Sequence, residues 1–202
     1  NKEKKKSYLF CSGPSVSNYR GFSFDDGLSI VCNSVINDSE LMTRVMPEIL
    51  VFADPVFHFG CSTYTDKFYK QLTEVVDKYD LTILIPLMYY NIFIYHMPEF
   101  EWRTIGLPFS GAIDINLDLE LDFNLRSASN IFTFLMLPDQ MDDIKTAHPA
   151  FFKLDYNEYY LEHCKLVEEY FVKGENQGKV FYSLTPSYIP ALKKRMLPEK
   201  SD

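Results

Sequence analysis

An α/β fold built on a Rossmann-like, doubly wound, mostly parallel sheet in a single domain is the class this sequence predicts. Three observations predict it. Short apolar runs alternate with helical patterns along the 202 residues. Two of the runs, Ile49-Leu-Val-Phe-Ala-Asp54 and Leu81-Thr-Ile-Leu-Ile-Pro-Leu87, are almost continuously apolar, as strands covered on both faces are. Several runs also stop on small or polar residues, which marks the carboxyl edge of a parallel sheet, where ligands bind.

The first strand candidate, Tyr8–Cys11, stops at Ser12-Gly13-Pro14-Ser15. Gly13 lets a ligand approach the backbone, and Ser12 and Ser15 offer hydroxyls beside free amides. That combination suits a phosphate or nucleotide; an ordinary tight turn has the same composition. The second strand, Leu28–Asn33, also ends on a polar side chain. Ser39 is a credible N-cap for a helix over Glu40–Met46. A third strand, Ile49–Asp54, precedes a helix that opens at Thr65 or Asp66 and runs to Tyr79. Phe68, Leu72, Val75, Val76 and Tyr79 form its apolar stripe.

Leu81–Leu87 is the fourth strand and Arg103–Leu107 a short fifth. Between them the stretch from Met88 to Trp102 is rich in aromatics, fit for core, interface or the stacking of sugar faces. Phe109–Phe123 alternates acidic and apolar residues, as an edge strand or a solvated rim does. Ser129–Leu137 reads as a helix start that runs straight into Asp139-Gln-Met-Asp-Asp143, with no strand following. That rhythm predicts a break between about Pro138 and Asp139 over a lid, or a strand that the chain omits. A helix follows over Asp155–Val172, ended by Gly174, then a strand at Lys179–Leu184 and a last helix after Ser187.

Composition narrows the function. Apolar residues make up 47% and aromatics 16%, which argues for a globular core. A net charge of −8 disfavours a broad basic face for nucleic acid. The basic run Lys2-Glu-Lys-Lys-Lys6 is a solvated tail or a point of peripheral membrane contact. No apolar run approaches the ~20 residues of a membrane span, and no signal-peptide pattern opens the chain. The cysteines Cys11, Cys32, Cys61 and Cys164 show no CxxC pairing. Cys11 and Cys32 fall in predicted strands, where cysteine acts as a small buried hydrophobe, and a reducing cytoplasmic compartment fits.

The order and spacing of these motifs resemble the bacterial sialyltransferases built on a single Rossmann-like domain, which use CMP-sialic acid. The resemblance extends more loosely to other Rossmann proteins with a Gly-Pro-Ser first loop, CMP-Kdo transferases among them. In the family an Asn-Gly-Pro-Ser loop meets the nucleotide; here it reads Ser12-Gly13-Pro14-Ser15. The asparagine that ends the family's second strand corresponds to Asn33, and its Asn-Pro at the third strand end to Asp54-Pro55. A Thr-Ser-Gly turn before the phosphate-facing helix corresponds to Arg126-Ser127-Ala128, and the family's histidine base to His148. Its Pro-Asn-Ser-type turn corresponds to Leu184-Thr185-Pro186-Ser187. The chain departs from the family at Cys11, Ser12 and Asp54, and it lacks the strand and tyrosine-bearing lid between the phosphate helix and the histidine. A carboxylate beside a phosphate repels it, so Asp54 is expected at the sugar, the base or the acceptor.

The resemblance implies a transferase that moves an acidic sugar, sialic acid or Kdo, from a CMP-activated donor to a glycan or glycolipid acceptor, with no further cofactor. Ser12, Gly13, Pro14, Ser15 and Asn33 would hold the nucleotide by backbone and amide hydrogen bonds. Arg126, Ser127 and Ser129, at a helix start, suit the departing phosphate, unless Arg126 pairs instead with the acidic stretch before it. His148 precedes Pro149, which biases it to an extended loop, and its near-neutral reference pKa suits general-base work; a surface-loop histidine has the same signature. His58, at the crevice edge after Asp54, is the second choice. His96 is placed to touch acceptor and His163 reads as structural. No DxD-type acidic pair stands at a strand end, so no metal is indicated. A methyltransferase-like or other nucleotide-dependent Rossmann enzyme, or a non-catalytic nucleotide-binding module of a larger assembly, is the competing expectation.

Overall fold

The structure is a computed structural model and describes residues 6–11, 14–110, 125–126, 156–185 and 189–197. Five strands, β1 (Ser7–Phe10), β2 (Leu28–Cys32), β3 (Ile49–Val51), β4 (Thr82–Pro86) and β5 (Thr104–Leu107), form one all-parallel sheet in the order β1-β2-β3-β4-β5. Each strand lies beside its neighbour in sequence. Parallel pairs need right-handed crossovers, and crossovers that all step the same way put their helices on the same face. That face carries α1 (Ser39–Val45), α2 (Thr63–Tyr79) and α3 (Leu87–His96). The other face is covered by α4 (Tyr156–Asn176) and α5 (Pro190–Lys193). The expected Rossmann-like α/β class is therefore observed, with its second layer supplied by the C-terminal helices rather than by a reversal of strand order.

Alternation within the strands builds the two cores. Val31, Leu50, Ile83 and Ile85 point to Leu41, Leu72 and Phe93 of the connecting helices. Ile30, Cys32, Val51 and Leu84 point to Val167, Tyr170 and Phe171 of α4. Because both faces are covered, the strands read as unbroken apolar runs. Each large side chain withdrawn from water here contributes about 1.5–3 kcal/mol. Cys11 and Cys32 are buried as small hydrophobes, and all four cysteines are unbridged.

Local chemistry sets the helix ends. Asp38, one residue before the expected cap, accepts from the Leu41 amide and starts α1 at Ser39; a carboxylate also complements the positive end of the helix dipole. Ser62 caps α2 by accepting from the Thr65 amide, so that helix begins at Thr63, earlier than its apolar stripe suggests. Met46 and Asp80 close α1 and α2 in the left-handed conformation. The aromatic segment after β4 is ordered as α3 and a 3₁₀ stretch, Pro98–Arg103. Tyr89 stacks on Phe59 at 4.6 Å, and Phe93, Met97 and Phe100 are buried, so one side of that segment is core.

Three expectations need correction. Gly174 does not end the long helix: α4 continues to Asn176, and Gly178, at φ +81°, takes the left-handed turn beyond it. Lys179–Leu184 is not a sheet strand. Its alternation is real, with Phe181 and Ser183 buried and Val180 and Tyr182 exposed, but it does not pair with β1. Ser183 instead forms an isolated bridge to Met196. Arg126 does not open a helix: Leu125–Arg126 is a two-residue strand, β7, parallel to β6 (Phe109–Ser110). The expected helix start at Ser129–Leu137 and the break near Pro138 lie outside the described residues.

Candidate functional site

All five strands point the same way, so their carboxyl ends share one edge. The register pairs Phe10 with Val31 and Cys32 with Val51, which brings Cys11, Asn33 and the end of β3 to neighbouring positions. Adjacent strands lie about 4.8 Å apart. The Gly-Pro-Ser loop thus leaves β1 one strand away from Asn33. Pro14 and Ser15 begin a 3₁₀ stretch, Pro14–Gly21, while Ser12 and Gly13 lie outside the described residues.

Asn33 is the unusual residue of this edge. Cys32 is extended, and the chain turns at once into the 3₁₀ stretch Asn33–Asn37, with Asn33 itself at φ 48°. Asparagine tolerates this left-handed region better than most side chains, yet such positions cost on the order of 1–3 kcal/mol and collect at ligand sites. Its Oδ1 is buried and accepts no hydrogen bond. A buried acceptor without a protein donor is open to water or to a ligand donor.

The loop after β3 is built in the opposite way. Asp54 Oδ1 accepts from the amides of Val56 and Phe57, both at 2.8 Å. The Asp54 carbonyl accepts from the His58 amide, and the Asp54 amide donates to His58 Nδ1 at 3.0 Å. His58 is 2% exposed, with Phe68 at 4.6 Å and Phe52 at 5.3 Å between ring centroids. Burial pushes its pKa down to about 4, partly countered by the Asp54 charge. The ring is therefore neutral near pH 7, and with Nδ1 acting as acceptor its proton sits on Nε2. A general base needs an available lone pair facing its substrate. His58 has one lone pair, and the Asp54 amide occupies it.

The remaining sequence-derived residues divide in two. The Arg126 backbone belongs to β7, next to β6, which follows β5 after Pro108. That pair is a two-stranded sheet separate from the five-stranded one that carries Asn33. Ser127, Ser129 and His148 lie outside the described residues. Among the described residues no group of three or more His, Cys, Asp or Glu side chains is placed to hold a metal ion, and no helix is long and apolar enough to cross a membrane.

The structure thus brings together the flanks of the Gly-Pro-Ser loop, Asn33 and the Asp54 loop. The strain at Asn33 and the burial of His58 were not visible in sequence. The five-residue spacing Asp54-Pro-Val-Phe-His58 was the one local signal for the second. Comparison with known protein families, characterised proteins and solved structures finds no match to this chain.

Proposed function

We propose that the chain is a glycosyltransferase that moves an acidic sugar, sialic acid or Kdo, from a CMP-activated donor to a surface-glycan acceptor. The observation that carries the reading is Asn33, a strained residue with an unsatisfied buried acceptor, one strand from the Gly-Pro-Ser loop. A ligand N–H or O–H, such as a cytosine amine or ribose hydroxyl, would satisfy Oδ1. The loop amides would take the phosphate. In the reaction His148 accepts the proton of the acceptor hydroxyl as its oxygen bonds to the anomeric carbon. The bond from that carbon to the phosphate oxygen breaks, and CMP departs with the electron pair. Arg126 with Ser127 and Ser129 would neutralise the departing phosphate. The buried, hydrogen-bonded state of His58 favours His148 as the base, with Asp54 holding the adjoining loop. The reaction would take place on the cytoplasmic side, free or peripheral to the membrane.

Thermal-shift measurements with CMP, UMP, ADP and S-adenosylhomocysteine test the nucleotide class, because a ligand of the native state raises Tm in step with its affinity. Selective stabilisation by CMP is expected. Stabilisation by S-adenosylhomocysteine alone would replace the reading with a methyltransferase. His148→Ala should then lower turnover by about 10²–10⁴-fold with CMP affinity unchanged; wild-type turnover would remove His148 from the mechanism.

A further inference from the structure

A cavity of about 850 Å³ does not sit on the sheet's carboxyl edge but runs beside β1. Its lining includes every residue from Lys6 to Cys11, and on the opposite wall every residue from Gly178 to Tyr182, then Leu184 and Thr185. Successive residues of a strand face opposite sides of a sheet. A cavity that touches all of them lies along the strand's outer edge. β1 is an edge strand with no partner on that side among the described residues, so its outward amides and carbonyls face the cavity.

This geometry restricts the ligand. Six residues of strand span about 17 Å at ~3.3 Å per step, so a ligand that follows them is extended. Tyr8, Phe22, Phe24, Phe181 and Tyr182 give it aromatic walls. An alkyl chain would fit the walls but leave the strand's polar edge desolvated and unpaired, which costs free energy at each group. The ligand must carry hydrogen-bonding groups along its whole length and apolar faces between them. Sugars do both. The lining contains no carboxylate among the described residues, and its Lys6 reaches Asp26. In a chain of net charge −8, such a lining suits a neutral or acidic chain.

We infer that the β1-edge cavity holds the acceptor: a linear, neutral or acidic oligosaccharide stacked on the aromatic walls and hydrogen-bonded along the strand. One end of the cavity is lined by Cys11 and Val16, which flank the Gly-Pro-Ser loop. A glycan lying in it brings its terminal hydroxyl to the candidate donor site. An extended peptide meets the same two requirements, so the choice of a glycan, and its assignment as acceptor, rest on the glycosyltransferase reading.

A glycan array of neutral and acidic oligosaccharides, followed by calorimetry on the best binder from mono- to pentasaccharide, tests it on the whole chain. Affinity is expected to rise with length and then level off. Tyr182→Ala removes an exposed wall residue, 59% accessible, without disturbing the core, and should weaken binding by about fivefold to tenfold. Ser23→Trp, which adds bulk to the lining, should abolish it, and Leu161→Ala, exposed and outside the cavity lining, should leave it unchanged. Circular dichroism shows whether each variant is folded. No binder on the array, or equal affinity in both cavity variants, overturns the inference. Tighter binding of an extended apolar hexapeptide than of any glycan also overturns it, and makes the slot a site for strand addition. Glycan binding without CMP binding would overturn the donor reading and keep the cavity; CMP binding without a glycan in the cavity would do the reverse.

Discussion

The loops after β2 and β3 stand side by side at the same edge of the sheet, and their polar groups are treated in opposite ways. After β3, Asp54 and His58 satisfy each other and the amides around them, and the ring is sealed by Phe52 and Phe68. After β2, Asn33 holds a strained conformation and leaves a buried oxygen unpaired. One loop is complete without a ligand. The other carries the kind of local cost that persists where a site is pre-organised. Two polar residues beyond adjacent strand ends look alike in sequence; their hydrogen bonds tell them apart.

The sharpest way to break this comparison is His58→Ala. It empties an aromatic-lined space and strands the Asp54 amide, so unfolding in urea should show a loss of about 3–5 kcal/mol. CMP affinity of the folded protein should not change. A large loss of CMP binding with little loss of stability would move His58 into the site.

The titration of the same ring gives the next effect. Its folded pKa lies near 4, below the 6.5 of a free histidine, so between those values the unfolded chain binds more protons. Stability from this group is fully present above pH 6.5 and declines as pH falls towards 4, by up to about 3 kcal/mol. Tm measured across that window should fall in the wild type and flatten in His58→Gln. A parallel fall in both would assign the acid sensitivity to other groups.

Asp54→Ala removes the acceptor of the Val56 and Phe57 amides, and a loss of about 1–3 kcal/mol is expected by chemical denaturation. The smallest effect has the opposite sign. Asn33→Gly relieves the left-handed conformation and deletes the unpaired oxygen, so the protein should gain about 1 kcal/mol. The same variant should lose CMP affinity. A variant that is less stable, or that binds CMP as before, would show that the asparagine serves the fold.

Much of this fold was legible because its signals are local. Leu81–Leu87 and Ile49–Asp54 read as buried strands from unbroken apolar runs, and the stripe from Phe68 to Tyr79 gave α2. Pairing is not local. Lys179–Leu184 has the alternation of a strand, and Phe181 and Ser183 are indeed buried, but periodicity reports which side chains face inward and not which backbone lies alongside. Gly174 reads as the helix stop in sequence, yet the left-handed turn falls at Gly178. At the edge, polar stops located the ends of β1 and β2 to within one residue of Cys11 and Asn33, whereas β3 stops at Val51, three residues short of the expected Asp54. The lock around His58 was not legible, because Phe52, Phe59 and Phe68 converge on it only in three dimensions.

The strand order has a consequence for how the chain assembles. Every sheet pairing joins consecutive strands, so each new strand closes only one crossover before it finds its neighbour. The sheet and its first helical layer can therefore grow in the direction of synthesis. The second layer comes late, because α4 begins only at Tyr156. Until then, among the described residues, Ile30, Cys32, Val51 and Leu84 lack the cover that α4 gives them. A nascent chain halted before Tyr156 would be a well-paired sheet still without α4 on that side, and chaperone capture should fall once α4 has been made.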